Sequence, residues 1–287
     1  MTNKISIILP AKNEANSLDQ LLPEIKSAYP KAEILVVDDG STDKTLEVCD
    51  THGVTAISLP YNMGNGAAVK AGARKAKGDI LVYLDADGQH NPKDISRLLE
   101  KFDQGYDLVV GARSSNTHAS IWRRLANGLY NRMASYMTGH KIEDLTSGFR
   151  AVRAKKFREF LFLLPNGFSY PTSSTMAFFR AGYGVAYVPI EARKRKGKSH
   201  IKPLQDGIRF LLVIFRVGTL YSPLKLYFPL SAGLTVLGVC YSAYTLGIQH
   251  RFTNMSALLL IAALLVFLIG LVAEQITTLL YQKSDDA

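Results

Sequence analysis

Residues 226–248, LYFPLSAGLTVLGVCYSAYTLGI, contain no charged side chain, and neither do residues 256–273, SALLLIAALLVFLIGLVA. Each run approaches the ~20 apolar residues that a membrane-spanning helix needs. Only a short segment beginning QHRFTN lies between them. Two such runs joined by a short loop are expected to form a transmembrane helical hairpin, with spans at about 226–248 and 256–280 and both ends on one side. A pair of buried core helices is the competing reading, and the adjacency of the two runs argues against it.

The stretch ahead of the first run is rich in base: Arg193, Lys194, Arg195, Lys196, Lys198, Lys202, Arg209, Arg216 and Lys225. Cytoplasmic flanks of spans carry an excess of Lys and Arg. This side, and the large N-terminal domain with it, is therefore expected in the cytoplasm, at the plasma membrane if the cell is prokaryotic. Within PLQDGIRFLLVIFRVGTLYS, Leu204, Ile208, Leu211, Leu212 and Phe215 form an apolar face. A basic amphipathic helix of this kind lies in the membrane interface. The chain thus divides into a large domain over 1–200, an interfacial amphipathic helix over 201–223 and the hairpin over 224–287.

The net charge of +10 favours anionic partners: nucleic acid, phosphorylated substrates or an anionic membrane surface. No nucleic-acid-binding module is recognisable and there is one Trp, so the membrane flank accounts for the charge and nucleic acid is not expected. Cys49 and Cys240 lie far apart in unlike contexts, which argues against a disulfide framework and against a Cys-based metal site. The N-terminus, MTNKISIILPAKNE, has too short an apolar stretch for a signal peptide and reads as a first strand.

In the large domain, short Ile- and Val-rich runs alternate with helical patterns. Residues 5–9, 34–37, 80–84 and 108–110 read as buried strands. Leu18, Leu21, Leu22 and Ile25 recur at helical spacing, and Pro30 closes that segment. Ser41 is expected to cap a helix carrying Leu46 and Val48. Asn91-Pro92 is expected to start another, with Ile95, Leu98, Leu99 and Phe102 as its apolar face. Alternating strand and helix predicts an α/β fold, a mostly parallel Rossmann-like sheet covered on both faces. Ligands of such sheets bind at the carboxyl ends of the strands.

Those ends carry PAKNE (10–14), DDGSTD (38–43) and DADGQH (85–90). One acidic, Gly-containing turn is commonly structural; three at one sheet edge are much harder to dismiss. NMGNGAAVKAG (62–72) adds small residues opening a helix, which suggests close backbone approach to a partner, with phosphate at the helix N-terminus as one candidate. It is neither a Walker loop nor a G-x-G-x-x-G fingerprint, since no GK[ST] follows and Val69 stands where the third Gly would be.

ILPAKNE, VVDDGSTDKT and LDADGQH, in this order and spacing, resemble the family 2 glycosyltransferases and imply their GT-A fold. DLTSGFRAVRA (144–154) and RKGKSHIKPLQDGIRF (195–210) are similar to the polyprenyl- or dolichyl-phosphate mannose (or glucose) synthases within that family. The resemblance covers roughly residues 1–200, and the hairpin is similar to what many bacterial members carry. The QxxRW motif of processive synthases is absent, which argues against a polymerase.

The resemblance implies a nucleotide-diphosphate sugar, such as GDP-mannose or UDP-glucose, as donor and a polyprenyl phosphate lipid as acceptor. A departing diphosphate needs charge neutralisation, which Mg²⁺ or Mn²⁺ can supply through oxygen ligands. By resemblance, Asp85 faces the nucleoside and Asp87 holds the metal. If the strand continues, Gln89 returns to the side of Asp87 and can add an amide oxygen; His90 is the lesser candidate, with a structural role expected. By the same carry-over Pro10, Ala11 and Glu14 line the nucleotide pocket and Asp39 contacts the base, whereas Asp38 is structural.

A lipid monophosphate, with a second pKa of about 6 by analogy with phosphoamino acids, is largely ionised at neutral pH and needs no general base. It needs cations to position it. Arg113 and one of Arg123 and Arg124 are the expected catalytic cations, because guanidinium groups match phosphate in bidentate fashion. Ser147 and Arg150 are also expected among the catalytic residues, shaping the acceptor side, and Lys198, His200 and Lys202 are expected to meet donor or acceptor phosphates. Asp144 is where a base would lie in relatives with hydroxyl acceptors; here it is expected to orient its loop. The expected activity is inverting transfer of one hexose, mannose or glucose, to a polyprenyl phosphate. Two alternatives stay open: a transferase of the same fold with a glycolipid hydroxyl acceptor, and a non-catalytic membrane scaffold. A homo-oligomer is compatible with all three.

Overall fold

In ISIILPA, the first strand β1 (Ile5–Ala11), Ile7, Ile8 and Leu9 have no exposed surface. Consecutive buried residues on a strand mean that both faces are covered, as in a parallel sheet flanked by helices. The computed structural model describes residues 3–113, 121–167, 169–191, 215 and 218–285, without the side chains of 121–127 and 280–285. It forms two units, Met1–Lys202 and Pro203–Ala287.

The first unit is built on a seven-stranded sheet. Its strands are β1, β2 (Glu33–Asp38), β3 (Thr55–Ser58), β4 (Ile80–Tyr83), β5 (Leu108–Arg113), β6 (Arg150–Arg153) and β7 (Val185–Ile190). They lie in the order β3-β2-β1-β4-β6-β5-β7. Every pairing is parallel except the two made by β6, which runs against β4 and β5. The reversal has a consequence for the site. Tyr83, the last residue of β4, pairs with Arg150, the first of β6. The residues entering β6 therefore stand beside those leaving β4, at the edge where ligands bind.

Helices α1 (Ala15–Ala28), α2 (Thr45–Thr51), α3 (Asn65–Lys75), α4 (Asp94–Asp103), α5 (Ile121–Thr138), α6 (Ala154–Glu159) and α7 (Tyr170–Arg180) complete the unit. Leu18, Leu21, Leu22 and Ile25 of α1 are buried, and so are Ile95, Leu98 and Phe102 of α4. They join the strand side chains in one core cluster. Small residues on α3 let it lie close to the sheet, with Gly72 against Ile8 and Val37.

Two helix starts differ from expectation. α2 begins at Thr45, where the Asp43 carboxylate accepts the Thr45 N–H, and Ser41 is turned toward Asn13 instead. α4 begins at Asp94; Asn91 accepts the Lys93 N–H in a turn that precedes the helix.

The second unit contains two long helices, α8 (Pro223–Gln249) and α9 (Asn254–Asp285). Pro223–Gln249 and Asn254–Leu279 are long and apolar enough to cross a membrane, close to the expected spans. α8 ends at His250 in the left-handed region, φ 51°. Small and polar residues line the contact between the helices, as is usual where lipid supplies no hydrophobic drive. Ser231 Oγ donates to the Ala263 carbonyl at 2.8 Å, Gly238 faces Leu259 and Leu260, and Gly270 faces Tyr227. The Leu224 N–H at the open start of α8 donates to Glu274 at 3.2 Å. Val236, Leu237, Leu264, Leu265 and Val272 point outward and are exposed. The expected interfacial helix lies mostly outside the described residues.

Candidate active site

The loops after β1 and β2 are locked to each other. The Asn13 N–H donates to Ser41 Oγ, and the Thr42 N–H donates to Asn13 Oδ1 at 2.8 Å. Asn13 adopts φ 56°, a left-handed conformation that Asn tolerates better than most residues. The Glu14 N–H donates to Thr45 Oγ1, and the Ala15 N–H to Asp43. Burial works against the Asp43 carboxylate, yet hydrogen bonds from Thr45 and from the Ala15 N–H hold its pKa below the usual range. Pro10 and Ala11 close the strand beneath this knot, with Ala11 buried and Pro10 half-buried. Ser17 donates to the Glu14 carboxylate.

Asp38 is buried and accepts from the Ser41 N–H and from Ser58, the structural role expected of it. Asp39, expected at the base, is also buried. Its carboxylate accepts the N–H groups of Met63 at 2.6 Å and of Gly64 at 2.9 and 3.1 Å. These bonds tie the end of the β2 loop to the loop that opens α3. The start of α3 is likewise filled by the chain itself. The Ala67 N–H donates to the Asn166 carbonyl, and a Cβ on Gly66 would collide with the Pro165 carbonyl oxygen. The small residues of NMGNGAAVKAG admit the close approach of the 165–167 backbone.

β4 ends at Tyr83 and the chain turns at 86–88, with Gly88 at φ 69°. Strand alternation therefore does not extend to Gln89 and does not set it beside Asp87. The turn joins them instead, with the Gln89 N–H donating to Asp87 Oδ1 at 3.1 Å. The Asp85 carboxylate rests on Gly148, where a Cβ would lie 2.8 Å from both of its oxygens. His90 is buried, stacks on Phe149 with ring centroids 5.1 Å apart, and sets Nε2 3.6 Å from Asp85 Oδ2. That packing fits the structural role expected of it.

Arg113 ends β5 at the same edge. Its Nε donates to Asp144 Oδ2 at 2.8 Å, and its Nη2 to Asp144 Oδ1 at 3.1 Å and Thr146 Oγ1 at 2.7 Å. None of the described bonds uses Nη1. Burial alone would lower the Arg113 pKa; the hydrogen bonds and charge of Asp144, with a contribution from Asp85, raise it instead. The same pairing overcomes burial at Asp144 and holds its carboxyl below the usual range.

Arg150 departs from expectation. It has no exposed surface, so it does not reach an acceptor. Its guanidinium donates to the carbonyls of Ser147 and Pro171 and to the hydroxyls of Ser174 and Thr175. It therefore ties the loop before β6 to α7. Ser147 is buried too, and its Oγ has no hydrogen-bond partner among the described residues. Arg123 and Arg124 stand near the start of α5, but their side chains lie outside the described residues, as do Lys198, His200 and Lys202.

Sequence reasoning missed Gly148, Thr146 and the Asn13–Ser41–Asp43–Thr45 knot. Only Gly148 had a readable signal, a glycine directly after a motif Ser and four residues beyond Asp144. Among the described residues no group of three or more His, Cys, Asp or Glu side chains could hold a metal ion. Mg²⁺ typically takes one or two carboxylates alongside substrate phosphates. Asp87 in its turn fits that kind of site, completed by the diphosphate of a donor.

Residues 6–161 match the family model of glycosyl transferase family 2, and residues 222–279 match that of the GtrB C-terminal hairpin. The chain is 30% identical over 269 residues to an undecaprenyl-phosphate 4-deoxy-4-formamido-L-arabinose transferase of Pseudomonas paraeruginosa PA7, covering 86% of this chain and 74% of that one. It is 38% identical over 160 residues to the protein of that name from Klebsiella pneumoniae 342, covering 52% and 49%. A solved structure of Mycobacterium tuberculosis glucosyl-3-phosphoglycerate synthase with Mn²⁺, UDP and glucosyl-3-phosphoglycerate superimposes with a TM-score of 0.61 at 22% identity, over 76% of this chain and 80% of that one. That likeness bears on the fold, which is GT-A. The sequence match takes in the strands and turns that build this site, so the chain belongs to glycosyl transferase family 2.

Proposed function

We propose that the chain moves one sugar from a nucleotide-diphosphate sugar to a polyprenyl phosphate, on the cytoplasmic face of the membrane held by its hairpin. Mannose from GDP-mannose or glucose from UDP-glucose is the proposed cargo. The observation that carries this reading is the state of Asp144. It is the carboxylate expected where a base would lie for a hydroxyl acceptor, and it is bound in bidentate fashion to Arg113 with its pKa depressed. A carboxylate so held is a poor proton acceptor. A hydroxyl acceptor needs such a base; a lipid phosphate, already ionised at neutral pH, does not. The names of the relatives, which specify undecaprenyl phosphate, and the two apolar helices support the same acceptor.

In this reading Asp144 holds the Arg113 guanidinium in one plane, and Arg113 donates to the acceptor phosphate beside the donor. Arg123, Arg124, Lys198, His200 and Lys202 add positive charge around the phosphates. Asp85, seated on Gly148, faces the nucleoside, and Pro10, Ala11, Glu14 and Asp39 frame the nucleotide. Asp87 and Gln89 would hold Mg²⁺ or Mn²⁺, which supplies charge neutralisation for the diphosphate. A phosphate oxygen attacks the anomeric carbon as the bond from that carbon to the nucleoside diphosphate breaks, which inverts the configuration. No proton has to move.

The test is a donor screen with purified full-length chain in detergent, undecaprenyl phosphate and Mg²⁺ or Mn²⁺. Labelled GDP-mannose, UDP-glucose and a UDP-linked 4-deoxy-4-formamido-L-arabinose are offered separately. Label entering the organic phase from one donor is expected, with the opposite anomeric configuration in the product. No transfer with donor binding intact would favour a hydroxyl acceptor. Loss of donor binding as well would favour a scaffold.

A further inference from the structure

The helix that follows the Arg113 strand is built with two unlike faces. Tyr130, Ala134 and Met137 of α5 are buried against the catalytic unit, and Tyr130 donates to Thr172 at 2.9 Å. The opposite face carries Leu129, Arg132 and Tyr136, at i, i+3 and i+7. Leu129 is 55% exposed and Tyr136 60%, with Arg132 exposed between them. In the sequence, Trp122 and Leu125 stand at the same register, at i−7 and i−4 from Leu129. The whole helix, IWRRLANGLYNRMASYMT, holds three Arg and no acidic residue.

Single exposed apolar residues are ordinary on protein surfaces. A stripe of Leu and Tyr on an all-basic helix is a different pattern, because it matches an interface that is apolar below and anionic above. Basic amphipathic helices bind such interfaces, with their apolar side chains about 5–10 Å into the headgroup boundary. Tyr suits that depth, with a ring for the acyl edge and a hydroxyl for water. Two side chains and a few charges bind weakly as a free module. Here the catalytic unit is joined to the apolar hairpin through residues 191–222, so a surface contact is intramolecular and acts at high effective concentration.

We propose that the outer face of α5, built on Leu129, Arg132 and Tyr136, rests on the anionic surface of the bilayer that holds the hairpin. It is a second membrane contact of the catalytic unit, separate from the spans and from the 201–223 segment. The inference rests on the hairpin spanning a membrane. Its role is to orient the unit: β5 delivers Arg113 to the sheet edge and α5 is the next element, so fixing α5 on the lipid surface turns the Arg113–Asp144 pair toward lipid phosphate.

The chain has a single tryptophan, which makes fluorescence the natural readout. Full-length W122F is the background, reconstituted in vesicles of phosphatidylcholine and phosphatidylglycerol with brominated acyl chains. Y136W and L129W report on α5, L264W on the outward face of α9, and Y61W on an exposed loop of the catalytic unit. Loss of emission is expected for Y136W and L129W, approaching the loss for L264W, and no loss for Y61W. The loss at Y136W should shrink when phosphatidylglycerol is omitted or when R132E is added. Quenching of L264W with Y136W and L129W unquenched would overturn the α5 contact, as it would if this face met a second copy of the chain. An unquenched L264W would overturn the spanning hairpin itself, and the inference with it.

Discussion

Arg150→Met isolates the work of the buried guanidinium. Four groups accept from Arg150: the carbonyls of Ser147 and Pro171 and the hydroxyls of Ser174 and Thr175. Removal does not strand all four. The hydroxyls of Ser174 and Thr175 both donate to the Pro171 carbonyl and continue to do so. The Ser147 carbonyl, which receives Nε and Nη2 together, loses both bonds. One buried polar group left unpaired costs about 1–3 kcal/mol. On the other side, burial pushes the Arg150 pKa down, which marks the burden of a desolvated cation. Removing that cation returns part of the loss, and the flexible Met chain fills much of the vacated volume. The expected net cost is about 2 kcal/mol, for one orphaned carbonyl. It is smaller than the roughly 3–5 kcal/mol of a broken buried ion pair.

For a unit of this size that cost lowers the melting temperature by about 4–8 °C, measurable by thermal unfolding in detergent. The functional effect follows from the chain order. Ser147 leads into Gly148, and Gly148 seats the Asp85 carboxylate. Donor KM should therefore rise while kcat at saturating donor changes less. Arg150→Lys, which keeps one donor for the Ser147 carbonyl, should recover part of both changes. A melting temperature and a donor KM both unchanged in Arg150→Met would refute the idea that this guanidinium holds the loop.

Asp144→Asn should reduce transfer to a lipid phosphate only mildly, by loosening Arg113, whereas a hydroxyl acceptor would lose most of its rate. Because the folded pKa of Asp144 lies below the unfolded value of about 3.9, its stabilising contribution is fully present above that value and is lost as pH falls through the folded pKa. The rate of the parent enzyme should accordingly show no ionisation of this carboxyl between about pH 5 and 8, and a pH–rate profile checks it. Gly66→Ala should destabilise by about 1–3 kcal/mol, since its Cβ meets only backbone atoms of 165–167. Gly128→Ala, on α5 with open space around it, should stabilise by roughly 0.5–1 kcal/mol in the same unfolding assay. Asp87→Ala should abolish metal-dependent transfer, and near-normal turnover would move the metal site elsewhere.

The parts legible in the sequence are those where one physical demand rules several neighbouring residues. Burial on both faces made ISII and ILVY read as strands, and the 3.6-residue period of Leu18, Leu21, Leu22 and Ile25 made α1 readable. The uncharged runs of α8 and α9 were readable for the same reason. β3 (TAIS) and β6 (RAVR) have four residues each, too few for a period, and β6 begins and ends on Arg. β7 (VAYVPI) carries a Pro that weakens the strand pattern. At the site, residue types identified the right loops, but partner choice was hidden. The partners of Asp39 and of the α3 start within the chain, Met63, Gly64 and Asn166, were hidden because they come from other parts of the chain. Arg150 read as catalytic because a lone Arg in a motif carries no sign of whether its head is buried.

The reversed strand β6 explains why a motif some sixty residues beyond the Asp-x-Asp turn belongs to the same site. A parallel β6 would deliver Ser147 and Gly148 to the opposite edge of the sheet. Run backwards between β4 and β5, it brings Gly148 under Asp85 and Asp144 against Arg113, because Arg150 pairs with Tyr83 on one side and Val110 on the other. One short segment thus touches both Asp85, proposed for the donor side, and Arg113, proposed for the acceptor phosphate. Its anchor is not in the site but behind it, where Arg150 binds the α7 hydroxyls in the dry interior. The proposed roles therefore couple donor and acceptor geometry through residues 144–150, and a change that moves this segment should alter the KM of both substrates together. A change at Asp87 or at the Arg113 head alone should alter one.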